Sequence, residues 1–435
     1  MSTTTTPDRP PAMIKVFLFA AGRVLKGDLR YYAWLVLLLA LIGLAVSRYV
    51  EQLDKGLIMT AMRDQVSWGF YIANFTFFVG VAAAAVLLVI PAYLYQFKPI
   101  HEIVLFGEMV AITAVVMCSL FVMADLGHPA LVWHLLPVLG VPNFPSSLFI
   151  WDMFSLMGYL AINVILVLYA LGRLARGREY RLIFVFPLIL LSIPWAVSIH
   201  TITAFLYNGL VARPFWNASI LAPRFLASAF CSGPALMLIV LQLIRRCSKV
   251  EIDNKALFKI AELVAYAMGI NVLLLAAEMF KELYSGSVHM APLEYLYFGL
   301  GAHGRLVPWI WMATAFNLIG FVIFLVPRLR ERLLLLNVGA MLIVLGVYVE
   351  KGLGLIIPGF VPDRLGEIYE YWPTATEGII TAGIWATGAL LFTLMVKFTI
   401  PIYTGEFHTG RALGRRPADS APEAFGALEA ETGGR

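Results

Sequence analysis

The chain has 435 residues, 60% of them apolar and 14% charged, with a mean hydropathy of +0.83 and a formal net charge of +5. A soluble globular domain carries about a quarter charged residues, so a water-soluble fold is excluded and the chain reads as an integral membrane protein. The net positive charge follows membrane topology and makes no case for nucleic-acid binding.

About 20 apolar residues cross a bilayer, and ten runs reach that length: 31–50, 68–95, 103–124, 149–171, 182–207, 222–244, 258–281, 307–327, 333–350 and 375–398. The fold class is therefore all-α, with ten transmembrane helices. With the N-terminus cytoplasmic, the inner segments hold 23 of the 32 Lys and Arg residues and the outer segments, with Arg224 and Lys351 among them, hold nine. That asymmetry places both termini on the cytoplasmic side, and the expected location is a prokaryotic cytoplasmic membrane.

Residues 1–30 form a cytoplasmic arm. Met1 to Pro11 is rich in Thr and Pro and reads as disordered, with no cleavable signal peptide. Met13 to Arg30 interleaves Val, Phe and Leu with Lys15, Arg23, Lys26 and Arg30, which suits a basic amphipathic segment on the inner surface. Residues 31–67 hold helix 1 and an outer loop, and helix 2 opens SWGFYIANFTFFVGVAAAA. Tyr71 sits at interfacial depth there, Gly80 and the alanines offer a face for close helix approach, and Asn74 is an amide with two readings, a bond between helices or a place at a pocket.

Helix 3 carries Glu108, an ionisable group at a costly depth, and ends at Asp125, 17 residues later. Helix 7 has Glu262 placed alike, with Glu278 16 residues on. Gly80 lies 28 residues before Glu108, and Gly233 lies 29 before Glu262. Helices 2–5 (residues 68–207) and 6–9 (residues 208–350) thus read as two parallel four-helix-bundle repeats with two peripheral helices. Inheritance from a duplication is an equal explanation for the paired glutamates.

Between helices 3 and 4 runs ADLGHPALVWHLLPVLGVPNFPSSLFIWD, with Asp125, His128 and Asp152 framing a loop free of Lys, Arg, Asp and Glu. So apolar a loop should be covered by the membrane interface or a partner. Helix 5, with Pro187, Pro194 and His200, is polar toward the same side, and Arg224 follows on that side. Residues 351–403 give a second aromatic outer loop and helix 10. The outer loops SGSVHMAPLEYLYFGLGAHG and KGLGLIIPGFVPDRLGEIYEYWP suit docking of a protein outside the membrane. Residues 404–435 form a polar cytoplasmic tail.

Chemistry narrows the classes. Haem ligation by facing helices needs His pairs, and only His200 sits well inside a helix; Cys118, Cys231 and Cys247 have no ligand spacing. No haem, iron–sulfur cluster or other metal is expected on this chain. A quinone needs an apolar cleft reachable from lipid, a hydrogen-bond donor and a proton-exchanging group, and a His with a neighbouring Asp supplies the last two. A parallel-repeat ion or solute transporter is the alternative, although a carrier gathers its polar groups near the midplane.

SWGFYIANFTFFVGVAAAA, MADLGHPALVWHL, FIWDMFSLMGY and VSIHTITAFLYNGLVARPFWNASILAPRFLASAFCSGPAL together resemble the NrfD/PsrC family of quinone-reactive membrane subunits. Within it they look most like the membrane subunits of alternative complex III and of the DsrP and HmcC type. The resemblance covers roughly residues 30 to 400. It implies a menaquinone or ubiquinone site near the outer face of helices 2–5, an extracytoplasmic ferredoxin-like iron–sulfur subunit, and in some complexes a multihaem cytochrome c and other membrane subunits. Carried over, His128 and Asp152 match the quinone-site His and Asp, Tyr71 and Asn74 border the pocket, and His200 matches the family's HT motif. Glu108 and Glu262 fall where relatives have a proposed proton path. The start of helix 4, FPSSLFIWD, departs from the family's SP-x-SWG pattern.

Overall fold

The computed structural model describes residues 13–95, 97–136, 138–176, 182–286, 290–363 and 365–406. Residues 1–12 and most of the tail, where a disordered arm and a mobile end are expected, lie outside the described residues. Ten helices are long and apolar enough to span a membrane, numbered here α1 (Leu29–Lys55), α2 (Phe70–Ala92), α3 (Val104–Asp125), α4 (Leu148–Leu174), α5 (Val185–Asn208), α6 (Leu221–Cys247), α7 (Asn254–Ser285), α8 (Val307–Leu325), α9 (Leu333–Phe360) and α10 (Ala375–Tyr403). No strand is present among the described residues. The protein is an all-helical, multi-pass membrane protein.

Contacts between helices close two rings of four. In the first, α2 touches α3, α3 touches α4, α4 touches α5, and α5 returns to α2. In the second, α6, α7, α8 and α9 follow one another and α9 returns to α6. The rings join where α6 meets α2 and α5, and α1 and α10 pair together against α3. α2 and α3 are the most buried spans and α1 the least, so the residues of α2 are held from every side.

α2 departs from a single continuous helix. Regular α-helix runs over Phe70–Ala82 and Ala84–Val89 and then widens into a π-turn over Ile90–Leu94. Pro91 lacks a backbone donor and forces the register change. At Gly80 a Cβ would stand 3.1 Å from Lys351 Nζ and 3.5 Å from Ala229 Cα, so α6 and α9 both pack closely against this face of α2.

The basic N-terminal segment forms a helix over Met13–Val24 with Val16 and Ala20 buried. It lies along the end of α10, with Phe17 stacked on Phe398 at 5.7 Å and Arg23 paired with Glu406 at 3.0 Å. The stretch after Glu350, read from sequence as an outer loop, instead folds inward. Leu353–Ile356 and Ile357–Phe360 are helical turns, and Gly354 to Phe360 are buried. The cause is Trp216, a fully buried indole that donates to Leu355 O at 2.9 Å and packs against Phe360 at 5.0 Å.

Candidate functional site

Two buried polar clusters lie inside the protein, one in each ring. The first forms where α3 ends and α4 begins. Ser147 caps α4 by accepting from Ile150 N, which sets Asp152 in the first two turns, facing α5 and 1% exposed. Thr203 Oγ1 donates to Asp152 Oδ1 at 2.6 Å and also lies 2.8 Å from Ile199 O. A hydroxyl has one hydrogen, so it serves one acceptor at a time. Both contacts become hydrogen bonds when Asp152 carries a proton, which makes this carboxyl a place where a proton can rest.

Around it, Tyr71 OH donates to Gln52 Oε1 at 2.8 Å, and Gln52 Nε2 donates to Ala124 O at 2.8 Å. This ties α2 to the end of α3 through α1. Asp125 Oδ1 is buried and has no hydrogen-bond partner among the described residues. Tyr207 OH and Thr76 Oγ1 are 2.6 Å apart, with the Thr76 hydroxyl 2.8 Å from Ile72 O. Trp68, Tyr207, Trp216 and Phe225 build an aromatic wall through Tyr207, with ring centroids 5.6–5.8 Å apart.

The structure thus gathers Asp125, Asp152 and Tyr71 at one end of the first ring. It does not bring every expected residue there. His128 is exposed at the start of the Pro129–Leu135 turn, and its imidazole makes no hydrogen bond or ion pair among the described residues. His200 is fully buried, with Nδ1 2.7 Å from Ala196 O on its own helix. Asn74 is committed to holding helices together: its Oδ1 accepts from Tyr348 OH at 3.0 Å and Trp385 Nε1 at 2.9 Å, and its Nδ2 donates to Phe70 O at 2.8 Å.

Arg224 belongs to the second cluster. It pairs with Glu278, and with Glu350 at 3.0 Å, while Asn317 Nδ2 donates to Glu350 Oε2 at 2.7 Å. A cavity of about 30 Å³ beside them is lined by Asn271, Tyr297 and Lys351 among others, room enough for ordered water. Lys351 Nζ is buried, donates to Phe225 O at 3.1 Å and sits 4.4 Å from the centre of the Phe225 ring. Glu108 and Glu262 occupy unlike places despite their matched positions in sequence. Glu108 is buried with no hydrogen bond or ion pair among the described residues, whereas Glu262 is partly exposed and held by Lys259, Arg330 and Tyr266. Among the described residues no three His, Cys, Asp or Glu side chains are gathered as a metal site.

Sequence reasoning missed Gln52, Tyr207, Glu350 and Lys351. Glu350 and Lys351 end an apolar run and read as a helix terminus, and only the inward fold of residues 353–360 buries them. One signal was present: Arg224 follows Tyr71 by 153 residues, and Glu278 follows Asp125 by the same 153.

Comparison with known proteins identifies the family. The sequence matches the family profile described as polysulphide reductase, NrfD, over residues 58–362. A putative dimethyl sulfoxide reductase membrane subunit of Halobacterium salinarum is 26% identical, the match covering 82% of this chain and 88% of that protein. A selenate reductase subunit of Mesobacillus selenatarsenatis is 25% identical over 86% of this chain and 94% of its own length. An Hdr-like menaquinol oxidoreductase integral membrane subunit of Archaeoglobus fulgidus is 24% identical, again over 86% and 94%.

Proposed function

Because the chain belongs to the NrfD polysulphide reductase family, and the relatives compared above are subunits of reductases and of a menaquinol oxidoreductase, we propose that it is the quinone-reactive subunit of an oxidoreductase complex. It exchanges electrons between a menaquinone or ubiquinone pool and an extracytoplasmic ferredoxin-like iron–sulfur subunit, and it is not active alone. Both termini are cytoplasmic in this reading, on the strength of the charge asymmetry. The observation that carries it is the buried, hydrogen-bonded Asp152–Thr203 pair at the start of α4.

These residues fit a quinone. Its ring and tail need an apolar enclosure, and its two oxygens need groups that donate or take protons; the aromatic wall and the two carboxyl groups are of those kinds. When bound, the quinone supplies two-electron chemistry. Asp152 holds or releases a proton at its carboxyl while Thr203 orients it, and Asp125 with Tyr71 and Tyr207 lines the headgroup. His200 and Asn74 act behind that surface by fixing α5 and α2. Glu108, buried and without a hydrogen bond or ion pair among the described residues, is the candidate for a proton path from the cytoplasmic side.

The matched spacing of Tyr71 with Arg224 and of Asp125 with Glu278 supports descent of the two rings from one duplicated unit. In the second, Arg224 and Glu278 stand at those positions as an ion pair. Asp152→Asn tests the assignment. Menaquinol oxidation by the purified complex should fall on the order of 100-fold, the scale of a lost proton acceptor, with the set of assembled subunits and the visible spectrum unchanged. Normal turnover would remove Asp152 from the chemistry, and flux of a solute through the chain alone in proteoliposomes would replace the whole reading with a carrier.

A further inference from the structure

From Leu126 to Trp151 there is no Lys, Arg, Asp or Glu, yet the protein does not cover this connection. Leu131, Leu136 and Leu139 are more than half exposed, and Val138 and Val141 are each 94% exposed. Water is a poor neighbour for such a surface, since each Å² of apolar area left wet costs about 25 cal/mol. Two kinds of neighbour remain, a protein or lipid.

The composition separates them. Protein interfaces ring their apolar centre with a polar rim; this stretch has no charged residue to form one. It does have Trp133 and, at its end, Trp151, both exposed, the residue that collects at the membrane boundary. The surface also continues onto α4: Phe144 of the connection packs on Trp151 at 4.6 Å, and Trp151, Ile165 and Leu168, which share one face of the helix by their spacing, are exposed. Irregular backbone cannot sit in the hydrocarbon itself, because its polar groups would go unpaired. Here local turns pair several of them, Leu131 N to His128 O, Leu136 N to Trp133 O and Gly140 N to Leu136 O, which suits the boundary between headgroups and acyl chains.

We infer that the α3–α4 connection is immersed in one leaflet of the bilayer and roofs the Asp125–Asp152 end of the first ring from the lipid side. A ligand dissolved in the membrane then meets this roof first; that consequence rests on the function proposed above, while the immersion does not.

Spin labels at single cysteines replacing Val138 or Val141, in a Cys247→Ser background, test it. Cys118 and Cys231 are buried, and Asp54, exposed on α1 at the same end of the molecule, serves as the aqueous control. In phospholipid nanodiscs, the ratio of collision with oxygen to collision with a water-soluble nickel chelate should be several-fold higher at 138 and 141 than at 54, for the chain alone and for the complex. Ratios equal to the control would overturn the inference. So would nickel access in the chain alone that disappears in the complex, because a protein partner would then be the cover. The measurement needs no turnover, so its failure and that of the proposed function are told apart.

Discussion

Replacing Arg224 by Met separates two roles for this arginine, one in holding a ligand and one in neutralising the second ring. The guanidinium is the shared partner of Glu278 and Glu350, and all three side chains are at most 13% exposed. Removing it strands two carboxylates in a water-poor interior, and breaking a buried pair from one side costs about 3–5 kcal/mol. Interhelical hydrogen bonds within membranes average only about 0.6 kcal/mol, so the loss of charge compensation, not of hydrogen bonding, sets the size. The expected outcome is a large drop in the temperature at which the detergent-solubilised protein leaves the monodisperse peak on size exclusion. The triple variant Arg224→Met, Glu278→Gln, Glu350→Gln should recover most of it, since a neutral, filled core replaces the stranded charges. A single variant as stable as the parent, or a triple variant no better than the single, would refute the argument. A stable single variant with weakened quinol binding would return Arg224 to the ligand site.

Asn74→Leu leaves the Tyr348 hydroxyl and the Trp385 indole N–H without their acceptor; at about 1–3 kcal/mol for a buried group left unpaired, it should lower thermal stability without a specific effect on quinol affinity. Gly359→Ala drives a methyl into the Trp216 ring and should cost about 1–3 kcal/mol by overpacking, whereas Gly378→Ala on α10 meets nothing within 4 Å and should gain up to about 1 kcal/mol of helix preference; paired thermal shifts check both. Thr203→Val should lower turnover less than Asp152→Asn does and shift its pH profile, because it removes the group that orients the carboxyl; an unchanged profile would leave Thr203 a packing residue.

Hydropathy carried the ten spans because the bilayer imposes one length and one composition on each. The fate of each polar residue depended on facts that hydropathy does not hold. Asp152 and Asp125 stand at helix boundaries, whereas Asn74, read as either a bond between helices or a pocket residue, ties α2 to α9 and α10. Glu108 and Glu262 share a sequence context and part company because Lys259 and Arg330 happen to reach one of them. Lys351 reads as one of the cations of an outer loop, since nothing local announces that the next eight residues turn back inside. The missing information in each case is which distant helix lies alongside.

The capping of α2 has a consequence for biosynthesis. Phe70 N, at its first turn, donates to Tyr371 OH at 2.7 Å, and Tyr371 in turn donates to Glu377 at the head of α10. Glu377 also accepts from Ala61 N at 2.9 Å, and Asn74 waits for Tyr348 and Trp385. At about 5–20 residues per second, the 301 residues between Phe70 and Tyr371 take a ribosome about 15–60 s. Throughout that interval α2 emerges with its leading amide unmatched and the Asn74 carbonyl lacking both distant donors, and a chain cut short before Tyr348 never supplies them.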